Sequence, residues 1–120
     1  MILIISSQED GHAVEVVKRI RRKGGQVQLL DLSDFPQHSF LSMEFNNNGS
    51  QQQELVNTDG SRTSTAEYNV VWWRRPQSFQ LHEDINSKTD QNFAYTECHA
   101  AISGLWLILD SFWVNNLTND

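Results

Sequence analysis

Cysteine and long apolar runs are what this chain lacks most clearly. Its 120 residues include one cysteine, Cys98, which excludes an internal disulfide and favours a reducing cytoplasm. No apolar run approaches the roughly 18 residues that are needed to span a bilayer. The opening residues Met1–Ile5 also have no charged leader before them. We therefore predict a cytoplasmic protein without a membrane partner.

Positive charge is also scarce, with 9 Lys and Arg against 15 Asp and Glu and a net charge of -6. Nucleic-acid binders are usually basic, so the net charge argues against a nucleic-acid partner. The chain has no GxGxxG or GxxxxGK[ST] motif, and therefore no glycine-rich cradle for a nucleotide. The spacing of the histidines to one another and to Cys98 does not suggest zinc. We predict no metal site.

The first third of the chain has the pattern of a βαβ unit. Ile2–Ile5 is β-branched and does not alternate, which is typical of a strand covered on both faces in a parallel sheet. Asp10 is a good N-cap for a helix with apolar residues at Ala13, Val16 or Val17, and Ile20, and Gly24-Gly25 closes it. A second strand is predicted over residues 27–32. A crossover of this kind is nearly always right-handed.

The middle of the chain reads as an insertion into this unit. Residues 38–45 and 52–57 are predicted strands, and Asn46-Asn47-Asn48-Gly49-Ser50 between them is a strong turn signal. A second turn at residues 59–61 leaves two alternatives, an antiparallel hairpin or a three-stranded meander. Residues 68–73 then return to the core sheet, and residues 77–89 form an irregular link.

A long helix is predicted from Asp90 onward. Its apolar stripe is Ala94, Cys98, Ala101, Leu105, Ile108 and Phe112. The segment 105–109 is apolar on every side, which is more than one packing face requires. We therefore predict a domain or partner interface at Leu105, Trp106, Ile108, Leu109 and Trp113. The expected fold is α/β, with a small, mainly parallel, Rossmann-like sheet, an inserted hairpin and a long C-terminal helix.

The candidate site follows the apolar strand Val70–Trp73, which runs directly into Arg74 and Arg75 and stops at Pro76. Arginine suits carboxylates and phosphates, and ligands of open α/β sheets bind beyond the carboxyl ends of the strands. Ser6 and Ser7 end the first strand and should lie at the same edge. Alternatively, the arginines pair with Glu9, Asp10 or Asp31, or face water.

Three segments of the chain resemble a known family. They are Met1–Ser6 with Asp10–Ala13, then Val71-Trp72-Trp73-Arg74-Arg75-Pro76, and finally Glu97, Gly104 and Leu105 with the ending Trp113-Val114-Asn115. Together they are similar to the N-terminal pre-ATP-grasp domain of the microviridin-type (graspetide) peptide ligases. The resemblance covers the whole chain, and the Arg-Arg-Pro strand and the Trp-Val-Asn ending are its most specific parts.

This resemblance implies a single pre-ATP-grasp domain over residues 1–120, forming the N-terminal part of a longer ligase. Such ligases use ATP and magnesium to activate a carboxylate of a precursor peptide, which a hydroxyl or amine of the same peptide then attacks. The nucleotide, metal and leader-peptide sites belong to the later portion, so this chain is expected to hold no catalytic residue and no cofactor, and to be inactive alone. Its partners would be the remainder of the ligase and, through it, the precursor peptide.

Two other functions remain open from the sequence. One is a standalone regulatory module that binds a small anion at Ser6, Ser7, Arg74 and Arg75, and loses it on Arg74→Ala substitution with the fold intact. The other is an interaction domain that forms a homodimer through the face from Leu105 to Trp113. Burial of such a stripe contributes roughly 25 cal/mol per Å² before the costs of association.

Overall fold

A computed structural model describes residues 1–115. The elements, in chain order, are β1 (Ile2–Ile5), α1 (Gly11–Arg22), β2 (Val27–Leu30), β3 (Phe40–Phe45), β4 (Gln51–Val56), β5 (Arg62–Ser64), β6 (Val70–Trp73), α2 (Lys88–Ile108) and β7 (Phe112–Val114). These residues divide into two compact units, one of Met1–Leu32, Tyr68–Ser78 and the residues from Asp110 onward, the other of Ser33–Glu67 and Phe79–Leu109.

The first unit is built on a four-stranded sheet with the order β2-β1-β6-β7. All three pairings are parallel, with Ile5 opposite both Leu30 and Trp73. The strand order reverses between β1 and β6, since β2 lies beyond one of them and β7 beyond the other. The carboxyl ends of β1 and β6 therefore meet at a topological switch point, which is where open α/β sheets bind ligands.

Helix α1 covers one face of this sheet because its apolar residues recur at helical spacing. Ala13 and Val17 pack with Ile4 and Val27 in a buried cluster, against which lie the half-buried side chains of Ile2, Val16, Ile20, Leu29 and Trp72. The helix ends as predicted: Lys23 caps it, and Gly24 takes a φ of +81°, a left-handed conformation that favours glycine.

The second unit contains a three-stranded antiparallel sheet with the order β3-β4-β5. Of the two alternatives left by the sequence, the meander is therefore the one observed. Its two turns carry Gly49 and Gly60, both with positive φ. Leu55, in the central strand, is fully buried.

Helix α2 begins two residues before the predicted start, because Ser87 caps it by accepting a hydrogen bond from the backbone N–H of Asp90 at 3.1 Å. The helix ends at Ile108, so the prediction that Phe112 belongs to its stripe was wrong. Phe112 instead begins β7, where it lies opposite Val70. The buried positions near the helix end are Ile102, Leu105 and Trp106, which shifts the apolar stripe away from the predicted Ala101.

Four strands have boundaries that differ from the predictions. Strand β4 covers Gln51–Val56 rather than residues 52–57, one residue earlier at each end. Strand β2 ends at Leu30, because Leu32–Asp34 forms a short 3-10 turn. Strand β6 begins at Val70 rather than at Tyr68, whose carbonyl accepts a hydrogen bond from the Ser111 hydroxyl. Strand β3 begins at Phe40 rather than at residue 38, because the backbone N–H groups of His38 and Ser39 both donate to Asp34. The α/β fold with a mainly parallel sheet and a long helix is confirmed.

Candidate functional site

The residues that follow β1 and β6 are held side by side by backbone hydrogen bonds. The N–H groups of Arg74 and Arg75 both donate to the carbonyl oxygen of Ile5, at 3.1 and 3.0 Å. On the other side, the N–H of Ser6 donates to the carbonyl of Leu30 at 3.1 Å. The predicted site residues therefore lie at one edge of the sheet, at the switch point of the strand order.

Asp10 lies at the centre of this edge. Its side chain is 2% exposed, and its Oδ2 accepts hydrogen bonds from the Ser6 hydroxyl at 2.7 Å and from Nε of Arg74 at 3.2 Å. Asp10 also occupies the N-cap position of α1, but its side chain makes no capping hydrogen bond. The sequence left three acidic residues open as partners of the arginines. Arg74 pairs with Asp10.

The surroundings of Asp10 favour its charged form. The hydrogen bond from Ser6, followed by the hydrogen bond and charge of Arg74, lowers the pKa of Asp10 from 3.8 to about 2, although burial acts in the opposite direction. The carboxylate is therefore ionised at neutral pH and neutralises part of the positive charge at this edge. Ser6 is fully buried, so its hydroxyl has a structural role beside its predicted role in binding.

Arg74 is held on a second side by an aromatic ring. The central carbon of its guanidinium lies 5.8 Å from the centroid of the Trp72 ring, a cation–π distance. Both side chains line an open cleft of about 460 Å³ beside α1, together with His12, Glu15, Val16 and Arg19. Glu15 pairs with Arg19 at 3.3 Å. The cleft thus combines one aromatic wall with two arginines, each of which already pairs with a carboxylate of the chain.

Arg75 and Ser7 differ from their neighbours. Arg75 is exposed and Ser7 half-buried. Within residues 1–115, the Arg75 guanidinium makes neither a salt bridge nor a hydrogen bond with the chain, while its carbonyl accepts one from Gln77. The two adjacent arginines are therefore not equivalent: Arg74 is tied to the fold, and Arg75 is available to a ligand or a neighbouring domain. Asp10 was not predicted as a site residue, because its position as the N-cap of α1 already explained an acidic residue there.

The residues predicted to form an interface differ in how exposed they are. Leu105, Trp106 and Leu109 are buried, so they do not form a free surface in this chain. Ile108 is 52% exposed, and Trp113 is half-buried with its ring centroid 6.4 Å from that of Trp73. The sequence missed Leu107, which is 85% exposed at the end of α2. The interface stays a prediction, and these exposed side chains are the ones able to carry it.

The whole chain, residues 1–120, matches the family model described as the MvdD pre-ATP grasp domain. The chain belongs to this family. The predicted resemblance to the pre-ATP-grasp domain of peptide ligases is thereby confirmed. No curated protein matches the chain.

Solved structures agree with the pre-ATP-grasp fold. Macrocyclase MdnB from Microcystis aeruginosa MRC is 24% identical with a TM-score of 0.82, and MdnC of the same organism, bound with precursor peptide MdnA, is 20% identical with 0.78. A Chryseobacterium gregarium RiPP-associated ATP-grasp ligase, in complex with ADP and a leader and core peptide, is 21% identical with 0.81. Each comparison covers 98% of this chain but only 35–38% of the other. The pre-ATP-grasp chain thus spans little more than a third of these proteins.

No helix among residues 1–115 combines the length and apolar character that crossing a membrane demands.

Proposed function

We propose that this chain is the N-terminal structural and substrate-side domain of a longer, ATP-dependent ligase that cyclises a ribosomal precursor peptide. The observation that carries the proposal is the match of all 120 residues to the MvdD pre-ATP-grasp family. It is supported by the solved relatives, which extend well beyond the aligned region and include two macrocyclases and a ligase. The bond formed would join a carboxylate of the peptide to an amine or an alcohol.

In such a ligase, ATP would supply the phosphoryl group that activates the carboxylate, and magnesium would neutralise its charge. Within residues 1–115, no group of three or more His, Cys, Asp or Glu side chains is placed to hold a metal ion. The buried carboxylate of the site, Asp10, accepts the hydrogen bonds of both Ser6 and Arg74 through its Oδ2. The proposal therefore assigns ATP and magnesium to the remainder of the enzyme.

The role of this chain would be to supply a rigid wall beside the reacting groups. Asp10 fixes Arg74 at the switch point, and Trp72 supports the same guanidinium from its ring face. Arg75, exposed at the same edge, would meet an anionic group of the substrate or of the neighbouring domain. The proposed partners are the remainder of the ligase and, through it, the precursor peptide. A cytoplasmic location is part of the same proposal.

The protein encoded by the complete reading frame tests the ligase proposal. We expect the frame to continue past the codon for Asp120, and its product to remove one water from a precursor peptide for each ring formed, in the presence of ATP and magnesium. Mass spectrometry of the peptide measures this loss. A frame that stops at Asp120, with no separate catalytic subunit encoded beside it, would contradict the proposal.

The chain of residues 1–120 alone is expected to be inactive. Purified to homogeneity, it should release no more phosphate from ATP with magnesium than a buffer blank does, because the proposal places the nucleotide site elsewhere. A coupled phosphate assay, with the complete enzyme as positive control, measures this. Turnover that depends on magnesium and follows the chain through purification would overturn this expectation.

A second candidate function is a standalone module that binds a small anion. It is favoured by one specific observation: Arg75 lies at the switch point, where its side chain is exposed and has no acidic partner among residues 1–115. In this case the anion would contact Arg75 and Ser7, and Arg74 would keep its salt bridge to Asp10.

Anion binding distinguishes this module from the ligase domain. If the module proposal holds, titration with inorganic pyrophosphate gives saturable binding, and Arg75→Ala weakens it at least tenfold, since a charged contact of this kind is worth about 1.5–3 kcal/mol. Isothermal calorimetry measures both. The matched control is Arg22→Ala, which removes an exposed cation from the end of α1. Equal weakening by the two substitutions would indicate nonspecific attraction and reject the site.

A further inference from the structure

Strand β3 forms an outer edge of the antiparallel sheet, because among residues 1–115 it pairs with β4 alone. Its side chains alternate between the faces, so that Leu41, Met43 and Phe45 share one face. Met43 is 57% and Phe45 71% exposed. This unpaired edge therefore carries an apolar stripe over its full length, continuous with the buried Leu55 that lies opposite Leu41.

The hydrogen-bond pattern shows which backbone groups of β3 face outward. The N–H of Asn46 donates to the carbonyl of Ser50 at 2.9 Å, and the pairs that follow at intervals of two are Glu44 with Gln52 and Ser42 with Glu54. Hydrogen-bonded pairs alternate with non-bonded pairs in an antiparallel ladder. Even-numbered residues of β3 therefore bond to β4, and the N–H and C=O groups of Leu41, Met43 and Phe45 point away from it.

The two edges of this sheet differ in how they are protected. Strand β5 has three residues, and its Arg62 lies 3.6 Å from Glu54. Short edges and charged side chains are common means of preventing edge-to-edge pairing. Strand β3 has six residues and a single charge, Glu44, whose side chain lies on the face opposite the apolar stripe. The β3 edge thus lacks the protection that the β5 edge has.

We propose that β3 pairs in antiparallel fashion with β3 of a second copy of this chain, about a two-fold axis at Met43. In this register Met43 faces its own counterpart, Leu41 faces Phe45, and Ser42 faces Glu44. Each residue whose N–H and C=O groups point outward lies opposite a residue of the second copy whose groups also point outward. The two strands can therefore exchange backbone hydrogen bonds. The apolar side chains form one ladder, and no two like charges are opposed. The product is a six-stranded sheet.

The self-complementary register is what selects a second copy over an unrelated strand. A two-fold axis requires each side chain to fit a partner from the same short sequence, and the order Leu41, Met43, Phe45 satisfies this. An interface of one six-residue strand belongs to the small, transient class. This inference goes beyond the proposed function, and it uses a different surface from the α2 face that the sequence indicated for a homodimer.

Sedimentation equilibrium of the 120-residue chain over a series of concentrations tests the pairing. We expect a reversible dimer whose dissociation constant rises at least tenfold in Met43→Lys, because the axis places the two ammonium groups opposite each other. The matched control is Leu107→Lys, which adds the same charge at an exposed apolar position on α2 and should leave the dimer unchanged. Circular dichroism of each variant checks that it is folded, and Phe45→Lys replaces Met43→Lys if that variant does not fold.

Mixing two charge variants gives the sharper result. Met43→Lys and Met43→Glu should each be monomeric alone and should associate when mixed, because the axis brings position 43 of one copy against position 43 of the other. A monomer at every concentration of the unchanged chain would overturn the proposal. A dimer that survives Met43→Lys and is lost in Leu107→Lys would overturn it as well, in favour of the α2 face.

Discussion

Arg74→Ala is expected to destabilise the folded chain by about 1–3 kcal/mol, because it leaves a buried carboxylate without its cation. Asp10 is 2% exposed, and Arg74 is the basic residue that pairs with it. The substitution also removes the cation that lies over the Trp72 ring. Urea unfolding followed by far-ultraviolet circular dichroism measures the change.

Arg75→Ala is the matched control for that substitution. The two residues are adjacent and both donate their backbone N–H to Ile5, and alanine preserves those backbone bonds. Since the Arg75 side chain is exposed, its removal should change the free energy of unfolding by less than about 0.5 kcal/mol. Equal destabilisation by both substitutions would mean that the Asp10 salt bridge contributes nothing specific. If Arg75→Ala were the more damaging of the two, the assignment of structural and available arginines would be reversed.

This difference also changes how a binding experiment at the site must be designed. The sequence led to the expectation that Arg74→Ala removes an anion site with the fold intact. Because Arg74 holds Asp10, its loss would reduce stability and binding together, and the two effects would be confounded. Arg75 is the position where a loss of affinity reports on the ligand contact itself.

The parts of the fold that the sequence predicted are those determined by local pattern. The apolar run of Ile2–Ile5, the helical spacing of α1 and the glycines after it depend on neighbours in the chain, and the structure has all three. The family resemblance was also found from short motifs such as Arg74-Arg75-Pro76, which are read directly from the sequence. Finding this resemblance therefore required no knowledge of how the side chains pack.

The parts that were missed depend on pairing over long distances in the sequence. Phe112 continues the helical spacing of α2, but the strand that it begins pairs with β6, forty-two residues earlier in the register Val70–Phe112. Likewise, the sequence named Asp10 as one of three possible partners of the arginines but could not select it, because Arg74 is 64 residues away. Local patterns cannot rank such alternatives, because the competing contact lies outside any window in which they are read.

The exposed edge of β3 illustrates a third kind of information. Its alternation was sufficient to predict a strand, but not which of its backbone groups would face outward. That depends on the register with β4, which the turn hydrogen bond of Asn46 to Ser50 determines. A surface for a second copy could therefore be inferred only from the structure.

Acid is expected to remove the stabilisation that Asp10 contributes. The pKa of this carboxyl is lowered from 3.8 to about 2 in the folded chain, chiefly by the hydrogen bond from Ser6. A lowered pKa means that the folded state favours the ionised form, so the contribution is fully present above 3.8 and disappears as the pH falls towards 2. For a carboxyl with so little exposure, the contribution is on the order of 2 kcal/mol.

Asp10→Asn is the variant that isolates this contribution. At neutral pH it should be less stable than the unchanged chain, and the difference should shrink between pH 3.8 and about 2 until the two unfolding curves converge. Asp59→Asn is the comparison variant: the pKa of Asp59 is also lowered, by hydrogen bonds from Ser61, but its side chain is exposed in a turn, so its pH-dependent difference should have the same direction and be smaller. A constant difference between Asp10→Asn and the unchanged chain across this range would show that the amide disturbs packing, and that the charge of Asp10 is not what stabilises the carboxyl edge of the sheet.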